Sequence, residues 1–136
     1  MRSRAPLALL EQVLMLVVFA VAAVICLRVF LWSDDASRKG ADRDHAILCA
    51  QSAAEVLKSC EGDLSSAAAI LGGEEMNGQW VITYDKEWKI SAEEETYILR
   101  ASRLPQNGLL GRAEVVVTQE EEPLAALTVA WQEVAQ

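Results

Sequence analysis

A continuous apolar run near the N-terminus constrains this chain more than any other feature of its sequence. Between Val13 and Leu27 no residue is charged or strongly polar, and the apolar character extends outward to Leu7 and Trp32. A helix over residues 7–32 would span roughly 39 Å, which exceeds the ~30 Å hydrocarbon thickness of a bilayer. The sequence therefore predicts a transmembrane helix over 7–32, with Trp32 at an interface.

A cleavable signal peptide is the alternative explanation of such a run. The apolar region of a signal peptide is only about 7–15 residues long. Here a further stretch of mostly apolar chain follows the small residues Ala20 to Ala22, where cleavage would occur. A lipoprotein signal would place a small residue before its cysteine, whereas Ile25 precedes Cys26. We therefore expect an uncleaved anchor.

Nearly all of the charge lies after the apolar run. From Ser33 to Gln136 there are 19 acidic and nine basic residues, a formal charge of −10. An acidic segment repels phosphate backbones, and we find no basic stripe that would offset it. We therefore expect no direct nucleic-acid partner.

Helical periodicity returns at His45. Apolar and small residues recur every three or four positions from Ala46 to Cys60, which predicts an amphipathic helix over 45–61 that stops at Gly62. Asp63 has the side chain of an N-cap for a second, short helix over 64–71, which Gly72 and Gly73 end.

From Gln79 onward the apolar residues alternate, which is typical of strands. Strands are predicted at 79–84, 96–103, 112–119 and 124–134, with a short extended piece at 88–90. Turns are predicted at 105–108 and 120–123 from their Pro, Gly, Asn and Glu content. The fold class is therefore α+β: an N-terminal transmembrane helix, then an amphipathic helix packed on a four- to five-stranded antiparallel meander sheet.

The sequence contains no recognisable constellation for catalysis or metal binding, so we expect neither an enzyme nor a cofactor. His45 has no Cys or His neighbour at ligand spacing, and we interpret it as a surface helix residue. Cys49 and Cys60 would lie about 16.5 Å apart on one helix, too far for a disulfide. The glutamates at 93–95 and 120–122 are interpreted as solvated charges rather than as calcium ligands.

Glu11 does not fit a plain anchor. It lies one turn inside the apolar run and is followed by Gln12. In one interpretation Glu11 lies at headgroup depth and the span begins at Val13. In the other, the carboxylate is retained because it pairs with a cation of another subunit, since a lone charge at the centre of a membrane helix costs on the order of 2.5–3.5 kcal/mol.

The segment from Leu7 to Ala20, with sequence LALLEQVLMLVVFA, resembles the N-terminal helix of type IV pilins and type II secretion pseudopilins. In that family the mature chain begins with an aromatic residue and two or three apolar residues, and has a glutamate at its fifth position. By that alignment Leu7 is the first mature residue and Glu11 corresponds to the glutamate. The resemblance places the processing junction between Pro6 and Leu7. The family's peptidase cuts after glycine, whereas Pro6 stands there. We therefore expect the chain to keep its N-terminus or to be cut inefficiently, as a divergent, minor or unprocessed pilin-like protein.

The resemblance implies a structural subunit of a bacterial surface filament, secretion or DNA-uptake machine. Its partners would be the membrane and other pilin-like subunits or copies of itself, joined through the N-terminal helix. The alternative is a single-pass anchored binding or sensor module whose Glu11 is incidental. Four parts follow: a basic segment 1–6, the transmembrane helix 7–32, a polar connection 33–44 and a domain 45–136.

The resemblance places the N-terminus in the cytoplasm and the domain outside. The basic residues alone leave the orientation open. Arg2 and Arg4 favour a cytoplasmic N-terminus, whereas Arg38, Lys39 and Arg43 count toward the opposite orientation.

Overall fold

The computed structural model of the protein describes residues 4–133 and confirms the α+β class. Two helices are followed by five strands that form one antiparallel sheet. The structure divides between Gly40 and Ala41 into two compact units. The elements are α1 (Ala5–Ser59), α2 (Leu64–Leu71), β1 (Glu74–Met76), β2 (Gln79–Tyr84), β3 (Tyr97–Asn107), β4 (Leu110–Gln119) and β5 (Glu122–Gln132).

Helix α1 is longer than the sequence pattern indicated. We expected a polar connection over 33–44 between two helices, but these residues are helical and α1 passes through them without a break. Two ion pairs at a spacing of four residues support this part, Asp34 with Arg38 at 3.1 Å and Asp35 with Lys39 at 3.2 Å. Each such pair is worth about 0.3–0.5 kcal/mol, which offsets much of the roughly 1 kcal/mol that a helical glycine at position 40 costs.

The end of α1 is fixed by backbone hydrogen bonds. Gly62 N–H donates to the Leu57 carbonyl at 2.9 Å, and Glu61 N–H donates to the Lys58 carbonyl at 3.2 Å. This pair of bonds is the Schellman arrangement, with Glu61 in the left-handed region at φ 52°. Asp63 then caps α2 by accepting from Ser65 N–H, so both the predicted cap and the predicted bounds of α2 are confirmed.

The sheet is a meander in the order β1-β2-β3-β4-β5. The predicted strands β2 to β5 are confirmed, with different bounds for the last three: β3 continues through Pro105 to Asn107, β4 begins at Leu110, and β5 runs from Glu122 to Gln132. The turns predicted at 105–108 and 120–123 are therefore shorter than expected and occupy only 108–109 and 120–121. Gln79 of β2 pairs with Ser102, so Pro105 lies beyond the end of β2 and within a register shift against β4. A proline is tolerated at such a position because no ladder hydrogen bond needs its missing N–H.

The core of the second unit lies between α1 and one face of the sheet. Ala46, Ala50, Ala53 and Leu57 of α1 are completely buried there. The alanines contribute small side chains to this core, and burial of Leu57 stabilises the unit by about 2 kcal/mol. The completely buried larger side chains of the sheet are Trp80, Ile82, Leu99, Val115 and Val117.

Candidate functional site

The apolar part of α1 presents large hydrophobic side chains on all sides, and none of them is buried. Leu7 is 68% exposed, Phe19 73% and Trp32 74%. A helix that is apolar all round is stable only where another apolar medium covers it. By length and composition this part of α1 is sufficient to cross a membrane.

Glu11 lies within this apolar surface, and its side chain is exposed. Within residues 4–133 it makes no salt bridge. Arg4 precedes it by seven residues, or about 10.5 Å along the helix axis, so the two side chains are separated by two turns. Arg2, the other cation considered for this role, lies outside the described residues. A partner for Glu11 would therefore have to come from another chain or from the N-terminal residues.

Pro6 and Leu7 lie in the first turn of α1. The helix begins at Ala5, and Ala8 N–H donates to the Arg4 carbonyl at 3.2 Å. A proline in the first turn is compatible with a helix because its missing N–H would have had no helical partner. The expected inefficient cleavage between Pro6 and Leu7 stays a prediction.

An aromatic cluster in the second unit was not anticipated from the sequence. Trp88 stacks on Tyr97 with ring centroids 3.8 Å apart, and on His45 of α1 at 5.6 Å. Tyr84 lies beside Trp88 at 6.0 Å in a tilted arrangement. Trp88 is held in the left-handed region at φ 61°, a conformation that is uncommon for a tryptophan. The cluster joins the start of the domain part of α1 to the loop between β2 and β3.

The polar groups around this cluster have pKa values that keep them protonated near neutral pH. Burial, with a smaller contribution from the Asp42 carboxylate, raises the pKa of Tyr97 to about 12. Burial raises the pKa of Tyr84 further, and it also raises the pKa of the Cys49 thiol that faces Tyr84. A nucleophile or base would need the opposite shift. We therefore interpret the cluster as a structural contact between helix and loop.

One further surface of the second unit is a candidate binding site. An open cleft of about 370 Å³ lies beside β1 and β2, and Met76, Val81, Ile90 and Glu95 are among its lining residues. Among residues 4–133 no three His, Cys, Asp or Glu side chains are grouped closely enough to hold a metal ion. The described residues that line this cleft do not provide the convergent polar groups that would define a ligand.

Comparisons of the chain with protein-family models, with curated proteins and with solved structures found no match. The functional interpretation consequently depends on the residues of α1. The feature that distinguishes residues 7–32 of α1 from a simple apolar anchor is Glu11, the only acidic residue in that range.

Proposed function

We propose that this chain is a pilin-like or pseudopilin-like structural subunit, anchored in a membrane by residues 7–32. In this proposal Glu11 binds a cation of a neighbouring subunit, and the domain lies outside the cytoplasm. The observation that carries the proposal is the exposed carboxylate of Glu11 in a helix whose surface from Leu7 to Trp32 is otherwise almost entirely apolar.

The architecture supports the same proposal. Helix α1 begins with an exposed apolar part and, as one continuous helix, ends with a part that packs on an antiparallel meander. This arrangement suits a subunit that assembles through its N-terminal helix, because one helix can serve both the contacts between subunits and the core of its own domain.

The energetics of a carboxylate in an apolar surrounding explain why Glu11 would act in association. An isolated charge in the membrane costs up to about 3 kcal/mol near the centre of a helix and less near its end. A cation supplied by a neighbour removes much of this cost, so the two chains are more stable together than apart. The α-amino group of a processed neighbour could supply that cation, as could Arg2 or Arg4 of an unprocessed one.

The test compares Glu11→Leu with Gln12→Leu in the native host. Both changes replace a polar side chain by the same apolar one at adjacent positions, but only the first removes a charge. We expect Glu11→Leu to insert and fold normally while recovery with neighbouring subunits, measured by cross-linking in cells, falls at least about tenfold if some 1.4 kcal/mol of coupling is lost. Gln12→Leu should associate as the parent does.

Equal association of the parent and Glu11→Leu would contradict the proposal. In that case Glu11 is a residue at headgroup depth, and the chain is better described as a single-pass anchored binding module. The open cleft beside β1 and β2 would then be the first surface to test for ligands.

A further inference from the structure

The two edges of the sheet differ in how well they are protected. At one edge, β1 has only three residues, and two of them are Glu74 and Glu75. At the other edge, β5 has eleven residues and pairs only with β4 in the part of the chain that the structure describes. Short strands and charges are the usual protection of a free edge against pairing with another chain. Between Leu124 and Gln132, β5 contains no charged residue, so this edge lacks that protection.

The register of β5 shows which backbone groups are free. Glu133 N–H donates to the Leu109 carbonyl at 2.9 Å, so residues an even number of positions before Glu133 also direct their backbone groups toward β4. Ala126, Thr128 and Ala130 alternate with these residues and direct their N–H and C=O groups away from β4. Their side chains are small and exposed, and an approaching strand meets no bulky obstacle there.

The apolar face of the domain is also incomplete at this edge. Val115 and Val117 of β4 are completely buried, whereas Leu127 and Val129 of β5 are only half-buried although they face the same side. An additional strand beside β5 would cover more of Leu127 and Val129. Both the backbone and the side chains of this edge therefore favour the addition of an extended strand.

The sequence of β5 indicates which strand fits. Around Thr128 the side chains are nearly symmetric, with Leu127 and Val129 on either side and then Ala126 and Ala130. An antiparallel pair centred on Thr128 would place Thr128 opposite its own copy, Ala126 opposite Ala130 and Leu127 opposite Val129. Such Thr–Thr and branched aliphatic pairs are favourable cross-strand neighbours.

From this symmetry we infer that the free edge of β5 binds the β5 edge of a second copy of this chain in a two-fold antiparallel pair centred on Thr128. The charges permit this register, because Glu133 lies opposite Pro123 of the copy rather than opposite a glutamate. A two-fold contact of this kind closes on itself and makes a dimer. The inference does not rest on the proposed function, since it uses the sheet and not the N-terminal helix.

The strength of the association follows from its size and charge. One pair of edge strands buries less surface than the roughly 1,000 Å² of a stable interface, so the dimer should form only at high local concentration. Each chain carries a net charge of −8, and added salt should therefore strengthen the association by screening the repulsion.

The first test uses the full chain in neutral detergent, which covers residues 7–32 whether or not they cross a membrane. With the three native cysteines replaced by alanine, Thr128→Cys is compared with Glu114→Cys, its register partner on β4. In the dimer the Cα atoms of the two cysteines at position 128 lie about 5.5 Å apart, as in a hydrogen-bonded antiparallel pair. Those at 114 are three strand spacings apart, about 14 Å. With a short bifunctional thiol reagent, Thr128→Cys should cross-link several-fold more, and more still in high salt.

The second test examines the register. Ala126→Cys and Ala130→Cys should cross-link when the two proteins are mixed, because these positions face each other across the two-fold axis. Each protein by itself should cross-link weakly, because in its dimer the cysteine of one copy and the cysteine of the other copy are offset by four residues, about 14 Å along the strand. Equal yields at positions 128 and 114, or equal yields for mixed and separate proteins, would overturn the inference.

A third comparison separates loss of pairing from loss of folding. Thr128→Lys is introduced into both the Ala126→Cys protein and the Ala130→Cys protein, and Thr128→Glu is introduced into both in the same way. A mixture of the two Lys proteins, or of the two Glu proteins, should cross-link several-fold less than the parent mixture because like charges then face each other. Mixing the Lys protein with the Glu protein should restore the yield. Failure of the mixture to recover, while both variants melt at the temperature of the parent, would also overturn the inference.

Discussion

Asp63 illustrates how a single side chain defines the start of an element. Its carboxylate accepts hydrogen bonds from Ser65 N–H at 3.3 Å, from Ser65 Oγ at 3.0 Å and from Ser66 Oγ at 2.5 Å. These bonds, with Ser66 contributing most, lower the pKa of Asp63 below its ordinary value of 3.8. A lowered pKa in the folded state means that the ionised carboxylate stabilises the fold.

We expect Asp63→Ala to lower the melting temperature at pH 7, because the N-terminal N–H groups of α2 lose their acceptor. The contribution of the carboxylate is fully present above about pH 3.8 and is lost as the pH falls through the lower folded pKa. The difference between parent and Asp63→Ala should therefore shrink in strong acid. Thermal unfolding followed by circular dichroism at several pH values checks this.

Asp63→Asn is the matched control, because an asparagine caps a helix without titrating in this range. It should melt close to the parent at pH 7. A difference between parent and Asp63→Ala that stays constant from pH 7 to pH 2 would show that ionisation of the Asp63 carboxylate does not stabilise the fold.

Trp131 shows what residue patterns alone could not reveal. Its ring packs against the backbone of both Gly62 and Gly111, and a Cβ at either position would overlap it. The sequence predicted that Gly62 ends the helix, and the hydrogen bonds at the end of α1 confirm this. A second reason for Gly62 is its contact with the Trp131 ring, and the same ring lies over Gly111, the cross-strand partner of Trp131 on β4. Such a contact depends on the tertiary fold and leaves no periodic trace in the sequence.

At the level of elements, the burial of one face of α1 predicts that substitutions on its two faces differ in their effect on stability. Leu57 is completely buried, whereas Leu48 on the same helix is 59% exposed. Leu57→Asp would bury an unpaired charge and should cost more than about 4 kcal/mol, enough to unfold a small domain. Leu48→Asp should change stability by less than about 0.5 kcal/mol. Urea unfolding followed by tryptophan fluorescence measures both, since Trp80 and Trp131 are buried.

Similar stability losses for the two aspartate variants would contradict the observed helix face. Val56→Asp provides an intermediate case, because Val56 packs against the core but is only partly buried. From the sequence pattern, aspartate at Val56 or at Leu57 is expected to unfold the domain, whereas the structure buries Leu57 completely and Val56 only in part.

The elements that could be predicted from sequence are those with a repeating apolar side. In β2 the alternation of Trp80, Ile82 and Tyr84 matches their burial, and in α2 an aspartate and two glycines mark the ends. β1 was missed because Glu74, Glu75 and Met76 are all exposed and contain no apolar alternation. The helical state of 33–44 was missed for the same reason, since polar residues in ion pairs form no stripe and Gly40 argues against a helix.

At the level of the whole molecule, the proposed function predicts the orientation of the chain across the membrane. If the chain is anchored as proposed, Leu109 in the β3–β4 turn, which is 62% exposed, lies outside the cytoplasm. In a chain whose native cysteines are replaced by alanine, Leu109→Cys should react with a membrane-impermeant thiol reagent on intact cells. A cysteine at Arg4, at the other end of the anchor, should react only after lysis and serves as the control.

The reverse labelling pattern would show an inverted anchor, and it would remove the support for a pilin-like role. Release of a soluble chain that lacks residues 7–32 would instead show that the apolar segment is a signal sequence. The two results are distinguished by the mass of the labelled protein.

The meander order of the sheet has a consequence for how the domain acquires its structure. Each strand from β2 to β5 pairs with the strand that precedes it in the sequence, so each can pair as soon as it is synthesised. Contacts between neighbours in sequence cost little loop-closure entropy, which favours rapid folding. During synthesis α1 and its buried alanines are available first, and the sheet can grow along them one hairpin at a time. Truncated chains that end after β3 or β4 would therefore already contain native pairing, and β5 would be the last strand to be added.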